Sequence, residues 1–306
     1  MNRHLIYIIG IVLLAACSHI AEDERLVYVK PPEVARAVLI EDFTGQRCVN
    51  CPTAHDEIAR LRREYGDSTI VAVSIHGGPL AVASTQKVLG LRTAEGDEYV
   101  RHWQTENSLP KGLVNRMAPV SNPDQWAAQV RQAIARPAPL MLHIANDYLA
   151  GTRQLTVSVT LQAVEPVRGR LQLWLTESGI TAMQLMPDGT ANPEYRHDHV
   201  FRCSINGTWG TEITAEAGQT LTTSHTITLD DGWPPDKMSV VAFVYDDNGV
   251  QQVTAAALTK SHRGRCLQIR PGAWPPLSES DDCPLLPCVW PWPCTCRKSS
   301  MSAWFL

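Results

Sequence analysis

Apolar residues recur along this chain with two different periods, and the change falls near Pro139. Between Val34 and Pro137, short unbroken apolar runs alternate with helical spacing. Val38–Phe43 and Thr69–Ile75 are runs of strand length, and the first carries two acids, Glu41 and Asp42. Between them Ala54, Ile58, Leu61 and Tyr65 recur at steps of four, three and four, one face of a helix. Pro52 suits that helix's first turn, where its missing N–H costs nothing, and Gly66-Asp67 ends it. Two apolar strands around a helix predict a parallel pair joined by a right-handed crossover. A second helix is predicted from about Asn122, with Trp126, Val130 and Ile134 on one side. The stretch from His76 to Thr105 shows no clear period.

After Pro137-Ala138-Pro139 the period becomes two. Leu155, Val157, Val159 and Leu161 alternate with Thr156, Ser158 and Thr160, and Leu171, Leu173 and Leu175 follow the same rule. Thr220–Leu229 reads as a half-exposed strand. Ser239–Tyr245 and Val250–Leu258 form a predicted hairpin around Asp246-Asp247-Asn248-Gly249. The fold class expected is therefore α/β plus all-β, with an α/β domain over residues 34–138. An antiparallel β-sandwich of immunoglobulin-like type is expected over 139–260.

The ends of the chain have a different character. Residues 1–17 begin with a polar start bearing Arg3, run through apolar Leu5–Leu14 and finish in Leu14-Ala15-Ala16-Cys17. The apolar run is short for a bilayer span, and the small residues before Cys17 fit a signal peptide with a lipobox, whose cysteine would carry the lipid anchor. Ser18 after that cysteine resembles proteins sorted to the outer membrane. Residues 18–33 read as a tether. Residues 261–306 hold five cysteines and many prolines and tryptophans with no periodicity. They read either as a disulfide-rich extension or as sequence foreign to the fold, and the lack of any period favours the second. The formal net charge of −4 gives no electrostatic footprint for nucleic acid.

The chemistry concentrates at Cys48-Val49-Asn50-Cys51, directly after the first predicted strand. A strand that delivers a C-x-x-C to the start of a helix is the geometry of a thiol–disulfide site. The helix N-terminus and Arg47 both favour a Cys48 thiolate, with Cys51 one turn further in as the resolving thiol. Asp42 is either the polar end of its strand or an acid able to exchange a proton with the buried thiol. His76, at the end of the neighbouring strand, is a candidate for tuning the thiols or a loop histidine without a role. Pro52 stands where haem attachment needs a histidine. Cys51, His55 and His76 make at most three ligands of the four that zinc normally takes, so no metal and no cofactor are expected. A static disulfide is the competing reading, since exported proteins keep cysteines oxidised. The tightness of the four-residue loop favours an exchangeable bond. Elsewhere, His197 and His199 would share a face on a strand and give half a metal site, although surface histidines are commoner. Cys203 reads as a small buried hydrophobe and Asn206-Gly207-Thr208 as a turn.

Four stretches taken together, FTGQRCVNCP, VSIHGG, LPKGLVNR and HVFRCSINGTWG, resemble the twenty-eight-kilodalton outer-membrane protein family over roughly residues 35–260. That resemblance implies an exported lipoprotein with a thioredoxin-like N-terminal domain followed by a β-sandwich, held at the outer membrane of the cell envelope. By position it assigns Cys48 and Cys51 to the dithiol. Pro110 takes the place of the cis-proline facing it, and Leu109-Pro110 is the substrate-binding edge. The chain departs from thioredoxins proper in having no tryptophan before Cys48 and a doubled acid in its strand. Two functions follow as expectations. One is thiol–disulfide exchange on exported proteins, whose thiols or disulfides would be the partners. The other is a non-enzymatic surface binding or adhesive lipoprotein in which the dithiol is only a staple.

Overall fold

The computed structural model describes residues 33–258. The leader-like segment with Cys17, the tether up to residue 32 and the tail expected over 261–306 lie outside the described residues.

Strand β1 (Val38–Thr44) and strand β2 (Ile70–His76) pair in parallel, from Val38 opposite Ile70 to Thr44 opposite His76. The crossover is helix α1 (Cys51–Tyr65), with Pro52 in its first turn and a backbone bond from the Gly66 N–H closing its end. Strand β3 (Lys111–Val114) lies antiparallel on the other side of β1. Helix α3 (Pro123–Ile134) buries Trp126, Val130 and Ala133, so its buried face is turned slightly from the one expected through Ile134. Helix α2 (Ala94–His102) occupies the stretch without a clear period. Thr93 caps its N-terminus by accepting a hydrogen bond from the Gly96 N–H.

Alternation along β1 and β2 sends their side chains to two faces. Val38, Ile40, Ile70 and Ala72 pack with Ala54, Ile58 and Leu61 of α1 and Trp126 of α3. Leu39, Phe43, Val71, Val73 and Ile75 point the other way, toward Tyr99 and Val100 of α2. The α1 face therefore runs from apolar at one end to polar at the other, because Asp42, Thr44, Ser74 and His76 continue its rows.

The remaining strands are β4 (Leu140–Leu149), β5 (Gln154–Ala163), β6 (Val167–Glu177), β7 (Ile180–Leu185), β8 (Ala191–His197) and β9 (Val200–Ser204). They are followed by β10 (Thr211–Ala215), β11 (Thr220–Thr228), β12 (Met238–Asp246) and β13 (Gly249–Ala257). Strands β11, β5 and β4 form one sheet. Leu155, Val157, Val159 and Leu161 of β5 face Leu171, Leu173 and Leu175 of β6 and Val240, Ala242 and Val244 of β12. The molecule is β-rich, and these two layers meet across a shared apolar core as in a β-sandwich.

The second layer does not stop at its own edge. Its order β13-β12-β6-β9 continues through a parallel contact of Val200 with Ser74 into β2-β1-β3, with β10 also on β6. This explains a departure from the sequence pattern in β6. Leu171 to Glu177 are all buried, the intervening polar Gln172 and Thr176 included, because the far side of β6 carries Trp174 into the core behind β1 and β2. A strand covered on both faces loses its period-two signature. Among the described residues, strands β7 and β8 pair only with each other, as a hairpin set apart from both sheets. No helix among the described residues is long and apolar enough to cross a membrane.

Candidate functional site

The end of β1 turns sharply into α1. Gly45 allows this turn, since a Cβ there would sit 2.7 Å from the Leu80 carbonyl. The Cys48 N–H donates to the Gly45 carbonyl and the Cys51 N–H to the Cys48 carbonyl, which folds the loop back onto the helix start. Cys48 and Cys51 are joined as a disulfide, with Cα atoms 5.4 Å apart. Cys51 is completely buried and Cys48 only 4% exposed. Arg47 beside them is exposed.

The cover comes from the β7–β8 hairpin. Gln184 is buried, and its amide donates to the carbonyls of Cys48 at 2.9 Å and Gly45 at 3.4 Å. The Leu185 N–H donates to the Gln46 carbonyl. Gln46, also buried, donates to the carbonyls of Met183 and Leu89 and accepts from the Leu91 N–H. The loop that carries the disulfide is thus clamped between the hairpin and the segment before α2.

The two acids of β1 lie on opposite faces. Glu41 forms a bidentate pair with Arg116, at 2.6 and 2.8 Å, and the guanidinium lies 4.5 Å from the Tyr245 ring centre. Asp42 is also wholly buried, but neither of its carboxylate oxygens has a hydrogen-bond partner among the described residues. The imidazole of His55, one turn along α1 from Cys51, stands with Nε2 3.4 Å from Asp42 Oδ2 and 3.2 Å from Thr44 Oγ1. Its Nδ1 is 2.9 Å from the hydroxyl of Tyr195 on β8. Both acids being buried, neither is a solvated strand end.

His76 is fully enclosed, its ring nitrogens unpartnered, and its ring centre is 5.6 Å from that of His197. Burial first, and then the neighbouring His197, hold its pKa well below the usual imidazole value, so the ring is neutral at pH 7. His197 ends β8 and is likewise buried, its pKa pushed down to about 4 by burial and then by His55. His199 follows in a left-handed backbone conformation against Arg62, and burial pushes it to about 4 as well. The two histidines do not share a strand face, so the half metal site considered for them does not form, and His197 is a buried ring rather than a surface histidine. Among the described residues, no group of three or more His, Cys, Asp or Glu is placed to hold a metal ion. Cys203 is a free, partly buried thiol at the edge of the sandwich core, its pKa raised to about 12 by burial.

The Leu109–Pro110 peptide bond is cis. Both residues line a groove of about 470 Å³ that reaches Thr53 in the first turn of α1. The structure therefore gathers Cys48, Cys51 and Asp42 around the start of α1, with Leu109-Pro110 on a groove at the same helix end. It adds Gln46, His55, Gln184, Tyr195 and His197. Met186-Pro187-Asp188-Gly189 is a legible turn signal for the hairpin, yet nothing in sequence says where the hairpin docks.

A family model described as Outer membrane protein Omp28 matches residues 96–262. Among solved structures, HBP35 of Porphyromonas gingivalis is 16% identical with a TM-score of 0.59, covering 79% of this chain and 81% of that one. A domain of the outer membrane lipoprotein Omp28 from the same organism is 21% identical, covering 40% of this chain and 88% of that one, with a TM-score of 0.29. A protein from Agrobacterium tumefaciens is 14% identical with a TM-score of 0.45, covering 75% of this chain and 98% of that one. Of these three, HBP35 alone is similar enough to speak to fold, and at that identity it speaks to fold only. No curated protein matches the chain.

Proposed function

We propose that this chain, which belongs to the Omp28 outer membrane protein family, carries out thiol–disulfide exchange on exported proteins through Cys48 and Cys51. The family places the protein at the outer membrane of the cell envelope. A thioredoxin-like arrangement of β1, α1, β2 and the cis-proline groove is the framework of this reading, and a lipid on Cys17 is its anchor. The observation that carries it is a buried disulfide at the first turn of α1, the helix whose His55 lies 3.4 Å from the buried Asp42 carboxyl.

In the reduced pair, the partial positive charge at the helix start favours the thiolate of Cys48. The Cys48 thiolate attacks a client disulfide and forms a mixed disulfide, and Cys51 then displaces the client sulfur. The groove along Leu109-Pro110, which reaches Thr53 in the first turn of α1, offers the client backbone a place at the same helix end as the dithiol.

The test is trapping. Cys51→Ser should accumulate reductant-sensitive adducts with exported proteins, and Cys48→Ser should not. Absence of adducts, together with no exchange by the wild type on a model disulfide, rejects the reading.

One observation favours the second reading, a binding or adhesive protein with a static bridge: Cys48 is nearly buried beneath Gln184. The reduction potential of the pair separates the two. Structural bridges fall below roughly −300 mV, whereas exchanging pairs lie above that. Anchoring is tested separately, since Cys17→Ala should release the protein from the membrane fraction.

A further inference from the structure

On the redox reading Asp42 takes a proton from Cys51 in each cycle and must lose it again, yet it has no direct contact with water. Its side chain is 0% exposed and its oxygens have no hydrogen-bond partner among the described residues. The polar group set against it is His55, whose Nε2 lies 3.4 Å away and whose side chain remains 16% exposed. That exposure opens onto a cleft of about 560 Å³ lined by His55, Ile58, Arg62, Arg63, Arg196 and His199. The opposite ring nitrogen is held by the Tyr195 hydroxyl at 2.9 Å. His55 therefore touches the buried acid on one side and water on the other, and a residue of the hairpin fixes its ring.

From this geometry we infer that His55 is the proton conduit of the dithiol site, passing protons between Asp42 and the cleft, with Tyr195 as its positioning residue. The inference rests on the redox reading above. In the resolving step Cys51 S–H gives its proton to the Asp42 carboxylate. A bond forms between Cys51 Sγ and Cys48 Sγ while the bond from Cys48 to the client sulfur breaks. The client sulfur leaves with the electron pair and takes a proton from solvent. The cysteine pair has lost two electrons and the client disulfide has gained them. Asp42 passes the proton on to His55 Nε2 as it receives it, so that relay and bond closure are one step, and His55 then gives a proton up to water in the cleft and returns to a neutral ring. A tautomer in which Nδ1–H donates to the Tyr195 oxygen leaves the Nε2 lone pair facing Asp42, as this transfer requires.

The experiment uses the protein's own disulfide and a small oxidant, so that client recognition plays no part. The reduced protein is mixed with oxidised glutathione, and closure of the Cys48–Cys51 bond from the glutathione adduct is followed in a single turnover. His55→Gly should slow closure by about tenfold or more, since positioned proton transfer contributes at least that much. Added imidazole, entering through the cleft, should restore most of the rate, and Tyr195→Phe should give a smaller loss. An unchanged rate in His55→Gly overturns the conduit, as does a slow rate that imidazole leaves slow, which marks His55 as merely structural. Should the glycine variant not fold, His55→Gln takes its place. Combined with Asp42→Asn it should cost nothing beyond either single change, and additive losses overturn the inference. A wild-type pair that does not react with oxidised glutathione overturns the redox reading itself along with the conduit.

Discussion

Glu41 and Asp42 are neighbours on one strand, equally buried, and the fold treats them in opposite ways. On the Glu41 face the carboxylate meets Arg116 bidentately, and the guanidinium is surrounded by Trp103, Trp174, Phe243 and Tyr245, with ring centres 4.5 to 5.8 Å away. Desolvation alone would lower the Arg116 pKa, but Glu41 raises it above the ordinary value, so the guanidinium stays charged. On the Asp42 face both oxygens lack hydrogen bonds, and the surroundings are Thr44, Ser74, His55 and the neutral His76–His197 pair. A buried charge matched by its partner is a structural element. A buried acid left unmatched persists at a cost to stability, and such groups concentrate where protons are moved.

The largest expected effect comes from unmatching the first face. Glu41→Gln leaves Arg116 charged, almost entirely buried and without its counter-ion, and losses of this kind cost about 3–5 kcal/mol. Asp42→Asn removes a carboxyl that faces only the His55 ring at 3.4 Å and accepts no hydrogen bond among the described residues, and should cost far less than Glu41→Gln. Denaturant unfolding of both variants checks the contrast. Comparable losses in the two would show that Asp42 has an essential partner after all, and the distinction between the faces would go with it.

Acid should act on the second face. His197 titrates at about 4 in the folded protein against 6.5 in the unfolded chain, and His76 is shifted the same way by burial. A folded pKa below the unfolded one means that the unfolded chain binds the proton first. Stability is then unaffected by these rings above about pH 6.5 and is lost as pH falls from there toward 4. For His197 the shift is on the order of 3 kcal/mol, at about 1.4 kcal/mol per pKa unit. Unfolding free energies measured at pH 7 and pH 4.5 should differ less in His197→Gln than in the wild type. An identical pH dependence in the two would mean that His197 is not buried as a neutral ring.

The sequence disclosed these regions unevenly, for physical reasons. Strands β1 and β2, helix α1 and the β12–β13 hairpin each bury one face or lie wholly inside, so that local pattern and burial agree. Helix α2 was hidden because only Gly96, Tyr99 and Val100 of its nine residues are buried, too few to print a period. Strand β6 was half-legible, since its polar Gln172 and Thr176 are buried by a layer distant in sequence. Cys48, Cys51, Asp42 and Pro110 could be placed because strand end, helix start and proline each carry a local signal. His55 could be seen on the right helix face only as an incomplete metal ligand. Gln184, Tyr195 and His197 could not be placed at all, because they reach the dithiol from a hairpin more than a hundred residues away. No local spacing encodes that docking.

The smallest effect concerns how each face is closed. The Glu41 face lies under the continuous packing of β6, β9 and β12, so uncovering it means unfolding the sheet. The dithiol loop beside the Asp42 face is covered by a hairpin that pairs only with itself and is tied to that loop by Gln184, Leu185 and Gln46. A net hydrogen bond is worth about 1 kcal/mol, and about 1.4 kcal/mol is a factor of ten in an equilibrium. Gln184→Ala removes the bonds to the Cys48 and Gly45 carbonyls and should raise the open population of the hairpin about tenfold. Reduction of the Cys48–Cys51 disulfide by dithiothreitol should accelerate by a similar factor, with little change in global unfolding. An equal acceleration in Glu41→Gln would mean that the disulfide is reached through general loosening of the fold. An acceleration confined to Gln184→Ala locates the gate in the hairpin, on the face that carries the unmatched acid.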